Sequence, residues 1–174
     1  MVNFVIVLEC LGICLTFVAL ILLLNGEGAR EQKLLIFIMC GSLVQNVGYL
    51  LELTAPTMEA AVAAVTVENV GSAFVPLCYC WFIYIYCYAA PPKRLLRVLA
   101  AINFLVLPTV FFNWNGLFYR DFQWMSTPNG FHYISISYGP LYSLFMFTRI
   151  IIPYVMCLAA LVRAIRLRSD RELN

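Results

Sequence analysis

At 174 residues, with 63% apolar and only 11% charged, the chain has too few charged groups to cover a water-facing surface. Soluble domains average about 45–50% apolar and about 25% charged. With a mean hydropathy of +0.88, the composition excludes a disordered chain, a secreted disulfide scaffold and an ordinary nucleic-acid binder, and points to an integral membrane protein.

A membrane span needs about 20 mainly apolar residues, and five segments meet that need. The first, 4–24, has no basic segment before it and no small-residue cleavage site after it, so it reads as a span and not as a cleavable signal. The second covers 34–53. The third covers 58–88, its start marked by Pro56-Thr57 ahead of a helix-favouring stretch. The fourth covers 95–112 and the fifth 138–161. Segments this long, built of Leu, Ile, Val and Phe, predict helices, because a barrel strand is about 10 residues of strict alternation. The expected fold is therefore all-α: one polytopic transmembrane helical bundle of about five spans, occupying 1–174 as a single domain. Pro76, Pro108 and Pro153 lie in or near these helices, where proline kinks the chain.

Basic residues set the orientation. Arg30 and Lys33 follow the first span, Lys93, Arg94 and Arg97 follow the third, and Arg163, Arg166, Arg168 and Arg171 lie in the tail. These are nine of the eleven, all on one side, which predicts the N-terminus outside and the C-terminus cytoplasmic. The loop 113–137 then lies outside. It carries two Trp, two Tyr and three Phe, which serve either as an interfacial belt or as a lid and contact surface over the bundle mouth. Its Asn, Gly and Pro residues mark turns.

Ionisable groups inside spans are costly and point to function or to an internal pair. Glu9, Glu52 and Glu68 sit at similar depth near the outer face, while Arg149 lies near the midplane with Gln45, Asn46 and Asn103 at a comparable level. Gln45, Tyr49 and Glu52 share one helix face, as do Glu68, Ser72, Val75 and Tyr79. Lipid cannot satisfy such stripes, so they are expected to face the bundle interior. The expected result is a polar cavity open to the outside, acidic at its mouth, with Arg149 near its floor. Glu52, Glu68 and Arg149 are the leading candidates for ligand binding, followed by Tyr49, Ser72, Asn113 and Tyr142. The competing readings are a solvated interface for the two carboxylates and, for Arg149, an internal bond to Asn, Gln or Glu that locks helices together. An acidic mouth suits an amine, Arg149 suits a carboxylate, and a zwitterion suits both.

Other chemistries find no support. Seven cysteines all fall in or beside apolar segments without a CxxC pair, as small hydrophobes do. The single histidine, His132, is in the outer loop, which excludes bis-histidine haem and argues against a metal cluster. No phosphate loop, HExxH or GxSxG is present, so no catalytic residue, metal or cofactor is expected.

Four motifs, in order, carry a family resemblance. Gly48-Tyr49-Leu50-Leu51-Glu52-Leu53 closes the second span, and Glu68-Asn69-Val70-Gly71-Ser72-Ala73-Phe74-Val75-Pro76 lies in the third. Asn113-Trp114-Asn115-Gly116-Leu117-Phe118-Tyr119 begins the outer loop, and Tyr138-Gly139-Pro140-Leu141-Tyr142 begins the fifth span. Together they resemble the N-terminal seven-transmembrane sensor region of bacterial histidine kinases, which also precedes diguanylate cyclase and other output domains. The resemblance implies a non-catalytic sensor in the bacterial cytoplasmic membrane, usually a homodimer, that detects an extracellular or membrane-borne small molecule or peptide and relays it to a cytoplasmic output. Many members have His where this chain has Asn115. The family continues into two further spans past a basic loop such as 163–171, so the expectation is the first five helices of a seven-helix sensor, or a five-helix variant. The alternatives are a small transporter or channel component using the same cavity, for which no convincing internal repeat is found, and a membrane assembly subunit. Ala60 and Ala64 form a small-residue pair of the kind used at helix interfaces, including those of dimers.

Overall fold

The computed structural model describes residues 2–26, 28–87, 90–126 and 132–172. Its helices are α1 (Val2–Leu24), α2 (Arg30–Leu53), α3 (Met58–Ser72), α4 (Val75–Tyr86), α5 (Lys93–Phe112), α6 (Pro140–Met146) and α7 (Ile152–Glu172). Two strands, β1 (Tyr119–Ser126) and β2 (His132–Tyr138), lie between α5 and α6. Among the described residues five helical stretches are long and apolar enough to cross a membrane: Phe4–Leu24, Glu31–Leu53, Met58–Tyr86, Lys93–Phe112 and Pro140–Arg166. The bundle expected from composition is present.

Two of the five spans are interrupted, each four residues before a proline. Pro76 has no N–H to give to the Ser72 carbonyl, and Ser72 is where α3 ends. Pro153 likewise has none for Arg149, and here the chain widens into a π-helical turn over Phe147–Ile151, with the Ile152 N–H donating to the Phe147 carbonyl. Pro108, in contrast, sits inside an α5 that remains one helix.

Helix α2 crosses α3 closely, on small residues. A Cβ at Gly71 would come within 2.5 Å of the Gln45 nitrogen and 2.9 Å of the Gly41 carbonyl oxygen. One at Gly48 would meet the Glu68 nitrogen at 2.6 Å and the Ala64 carbonyl at 3.1 Å. Ala64 is buried in this crossing, so it serves contacts within the chain. Van der Waals packing of close backbones is a principal source of helix association in lipid. Helix α1 packs against α2, and α4 packs against both α2 and α7.

The loop 113–137 differs from an irregular belt: most of it is an antiparallel hairpin. Phe122 pairs with Ile136 and Trp124 with Ile134, with an irregularity between Tyr119 and Asp121. Directly opposed residues share a face, so these four apolar side chains form one side, and all pack on the bundle core. Asp121, Gln123 and Met125 alternate to the exposed side. The turn expected from Pro128, Asn129 and Gly130 lies outside the described residues.

Two apolar cores result. One joins the hairpin, Phe118 and Tyr119 to Ala61 and Val65 of α3, Val106 and Val110 of α5 and Phe145 of α6. The other joins Leu77 and Cys80 of α4, Leu96 and Leu99 of α5 and Met156 and Cys157 of α7. The first lies at the hairpin end of the bundle, the second toward the end that carries Lys93 and Arg97.

Candidate functional site

Polar side chains gather where the two cores meet. Arg149, on the π-helical turn, is 9% exposed. Its Nη1 donates to Ser72 Oγ at 2.8 Å and to Asn69 Oδ1 at 3.4 Å, both on α3. The guanidinium lies 4.7 Å from the Phe145 ring centroid, a cation–π arrangement. Its Nε is buried and has no hydrogen-bond partner. Asn69 Nδ2 donates to the Tyr119 hydroxyl at 3.0 Å and to the Val65 carbonyl at 3.0 Å. One chain of hydrogen bonds therefore runs from the fifth span, through the third, to the first residue of the hairpin.

A second link lies beside it. Thr148 Oγ donates to Asn103 Oδ1 at 2.9 Å, and Asn103 Nδ2 donates to the Ala73 carbonyl at 3.2 Å. Asn103 is fully buried on α5, and it joins the break between α3 and α4 to the π-helical turn.

Above Arg149 the roof is aromatic. Phe118 packs edge-on against Tyr119, Tyr142 and Phe145, with centroid separations of 4.7, 5.6 and 5.5 Å. Tyr138 stacks on Tyr142 at 3.6 Å. Burial holds the Tyr119 phenol above its usual range, and burial together with Tyr142 does the same for Tyr138. Both are therefore neutral hydroxyl groups at physiological pH.

The candidate residues divide accordingly. Arg149 and Ser72 are in direct contact. Glu68 is within electrostatic range of Arg149 and of Glu9, and Glu52 within range of Glu68. Among the described residues Arg149 forms no ion pair, and its partners are neutral. Tyr142 belongs to the aromatic roof. Asn113 organises the loop: in the left-handed conformation at φ 40°, its Nδ2 donates to the Tyr119 carbonyl at 2.8 Å, and its Oδ1 accepts from the Phe118 and Tyr119 N–H groups at 3.3 and 2.8 Å. Tyr49 is 38% exposed and stands apart from this network, and Tyr79, at 45%, also faces outward, so neither polar stripe lies wholly inside. Among the described residues the link between Arg149 and the hairpin runs through Asn69 to the Tyr119 hydroxyl, while the apolar face of the hairpin packs on the neighbouring core. Asn69 and Tyr119 are the members that the sequence pattern did not single out. Asn69 follows a carboxylate that drew the charge argument, and Tyr119 is distant in sequence.

Five apolar spans, with a buried arginine hydrogen-bonded to neutral side chains between them, define a multi-pass membrane protein. The description "N-terminal 7TM region of histidine kinase" matches residues 6–173. The chain belongs to that family, the membrane sensor regions of histidine kinases. No curated protein and no solved structure matches the chain significantly.

Proposed function

We propose that this chain receives a signal beneath the hairpin and relays it along α7 to a cytoplasmic output module such as a histidine kinase. The observation that carries this reading is Arg149: a buried guanidinium with an unpartnered Nε, seated on the π-helical turn and linked through Asn69 to the hairpin. A charge at mid-membrane costs about 2.5–3.5 kcal/mol on insertion scales. A lock of Ser, Thr and Asn alone, like the neighbouring Asn103–Thr148 pair, avoids that cost. π-Helical turns are also frequent at functional sites.

In this reading the membrane is a bacterial inner membrane, with the hairpin outside and the C-terminal end in the cytoplasm, an orientation supported by the nine basic residues on one side. Glu52 and Glu68 suit an amine and Arg149 a carboxylate, so the favoured signal is a small zwitterion or a peptide terminus. The working unit is a homodimer, which chemical cross-linking in membranes tests.

The test of the site uses amide hydrogen exchange on the protein in nanodiscs, with choline, acetate and a panel of free amino acids as cationic, anionic and zwitterionic probes. An amino acid is expected to slow exchange in the hairpin and in residues 147–151, and Arg149→Leu to abolish that protection while the helical circular dichroism persists. Equal protection in Arg149→Leu, or loss of the folded protein in that variant, would instead leave Arg149 as a structural lock.

A further inference from the structure

A groove about 290 Å³ in volume opens on the bundle surface between α4 and α5, at the opposite end from the hairpin. Phe74 just before α4, Leu77 and Trp81 of α4, Leu96 and Ala100 of α5 and Phe37 of α2 form its walls. Its basic mouth is formed by Lys93 and Arg97. These two are four residues apart on α5, hence on one face with Cβ atoms about 5–6 Å apart, and both are exposed. The Arg97 Nε donates to the Lys93 carbonyl at 3.3 Å, which leaves both terminal nitrogens of that guanidinium uncommitted. Among the described residues neither side chain has a carboxylate partner.

The groove has the shape of its occupant. Phe74 and Trp81 are seven residues apart, about 10 Å along the axis of α4, a length that suits an acyl chain and not a compact polar solute. The walls are apolar, so the occupant must be a hydrocarbon over that length. The mouth is cationic, where long basic side chains extend to the interface. Paired cations at a membrane interface attract a phosphate headgroup, and basic pockets between spans are a recognised form of lipid site. From this complementarity we infer that the α4–α5 groove binds one anionic glycerophospholipid, its phosphate between Lys93 and Arg97 and one acyl chain against Trp81 and Ala100. The site is independent of the network around Arg149, and it adds a lipid ligand to a bundle whose signal is read elsewhere.

Trp81 supplies the measurement. With Trp114 and Trp124 changed to Phe, it is the remaining indole of the three, and brominated acyl chains quench it on contact. The protein is reconstituted into phosphatidylcholine vesicles containing rising fractions of brominated phosphatidylglycerol or brominated phosphatidylcholine. Each basic residue near an anionic surface contributes roughly fivefold in affinity. With two such residues, half-maximal quenching is therefore expected at about a 25-fold lower fraction of the brominated anionic lipid, and Lys93→Gln/Arg97→Gln should reduce that difference below about twofold. Equal quenching by the two lipids would mean ordinary annular contact and would overturn the inference. So would a preference that survives the double substitution. Absence of quenching by either lipid would show the groove covered by protein, with the same consequence. Native mass spectrometry of the unsubstituted-tryptophan protein, with and without Lys93→Gln/Arg97→Gln, provides a second reading: retained phosphatidylglycerol should fall with the double substitution, and unchanged retention overturns the inference.

Discussion

Replacing Asn103 tests whether the two interrupted spans are held together at one point. Its side chain accepts from Thr148 at 2.9 Å and donates to the Ala73 carbonyl at 3.2 Å, and it is fully buried. Hydrogen bonds between membrane helices average about 0.6 kcal/mol, with a maximum near 1.7. Two of them give about 1–3 kcal/mol. The amide removed by Asn103→Ala leaves roughly 30 Å³, about 0.7 kcal/mol at 24 cal/mol per Å³. The expected loss is thus about 2–4 kcal/mol, read as reversible unfolding in mixed micelles titrated with dodecyl sulfate. Asn103→Asp keeps the shape and the acceptor but loses the donor and adds an intramembrane charge, so it should cost more, about 3–5 kcal/mol. A double-mutant cycle with Thr148→Val should return a coupling of about 0.6–1.7 kcal/mol. Zero coupling, or Asn103→Asp milder than Asn103→Ala, would refute the argument that Asn103 bridges the break in the third span to the π-helical turn.

Other variants probe the remaining features. Asn113→Ala removes three hydrogen bonds and forces a residue without a capping side chain into φ 40°, so it should destabilise by about 2–4 kcal/mol and speed amide exchange in the hairpin; Asn113→Gly, free of the backbone penalty, should be milder. Gly71→Val drives a side chain into the α2 backbone and should sharply lower the yield of monodisperse protein, whereas Gly12→Ala, with nothing within 4 Å of the added carbon, should be neutral or slightly stabilising. Tyr119 should give the protein an alkaline limit. An unfolded phenol ionises near 10.0 and the buried one above that, so its contribution to stability is complete below about 10 and falls as pH rises further; Tyr119→Phe should reduce the slope of that fall in a pH series of unfolding curves.

The bundle was legible in the sequence because lipid imposes length and composition on every span. Counting depth placed Arg149 level with Asn103, and the structure puts hydrogen-bonded networks of the two side by side, linked through the adjacent Thr148. Ser72 was reached by helical periodicity and does meet Arg149. Periodicity failed at Tyr49 and Tyr79, whose phenols accept partial exposure at levels where carboxamides do not. The hairpin was written in the alternation of Phe122, Trp124, Ile134 and Ile136, but aromatic content suggested a belt or lid as readily as a paired sheet. What could not be read was the pairing of Asn69 with Tyr119, since it depends on how the hairpin lies across α3.

The two spans that depart from the regular α-helical ladder do so near the boundary between the two cores, and α5 runs past it without a break. Mechanically this is a universal joint on a continuous shaft. Under the proposed relay, a tilt of the hairpin half would turn about the Ser72–Val75 and Phe147–Ile151 segments, where the regular α-helical ladder is interrupted, while each core stays packed. What would then reach the basic end is an angle of α4 and α7 about α5. An angle can be transmitted over the length of a membrane without any side chain in the second core changing its neighbours.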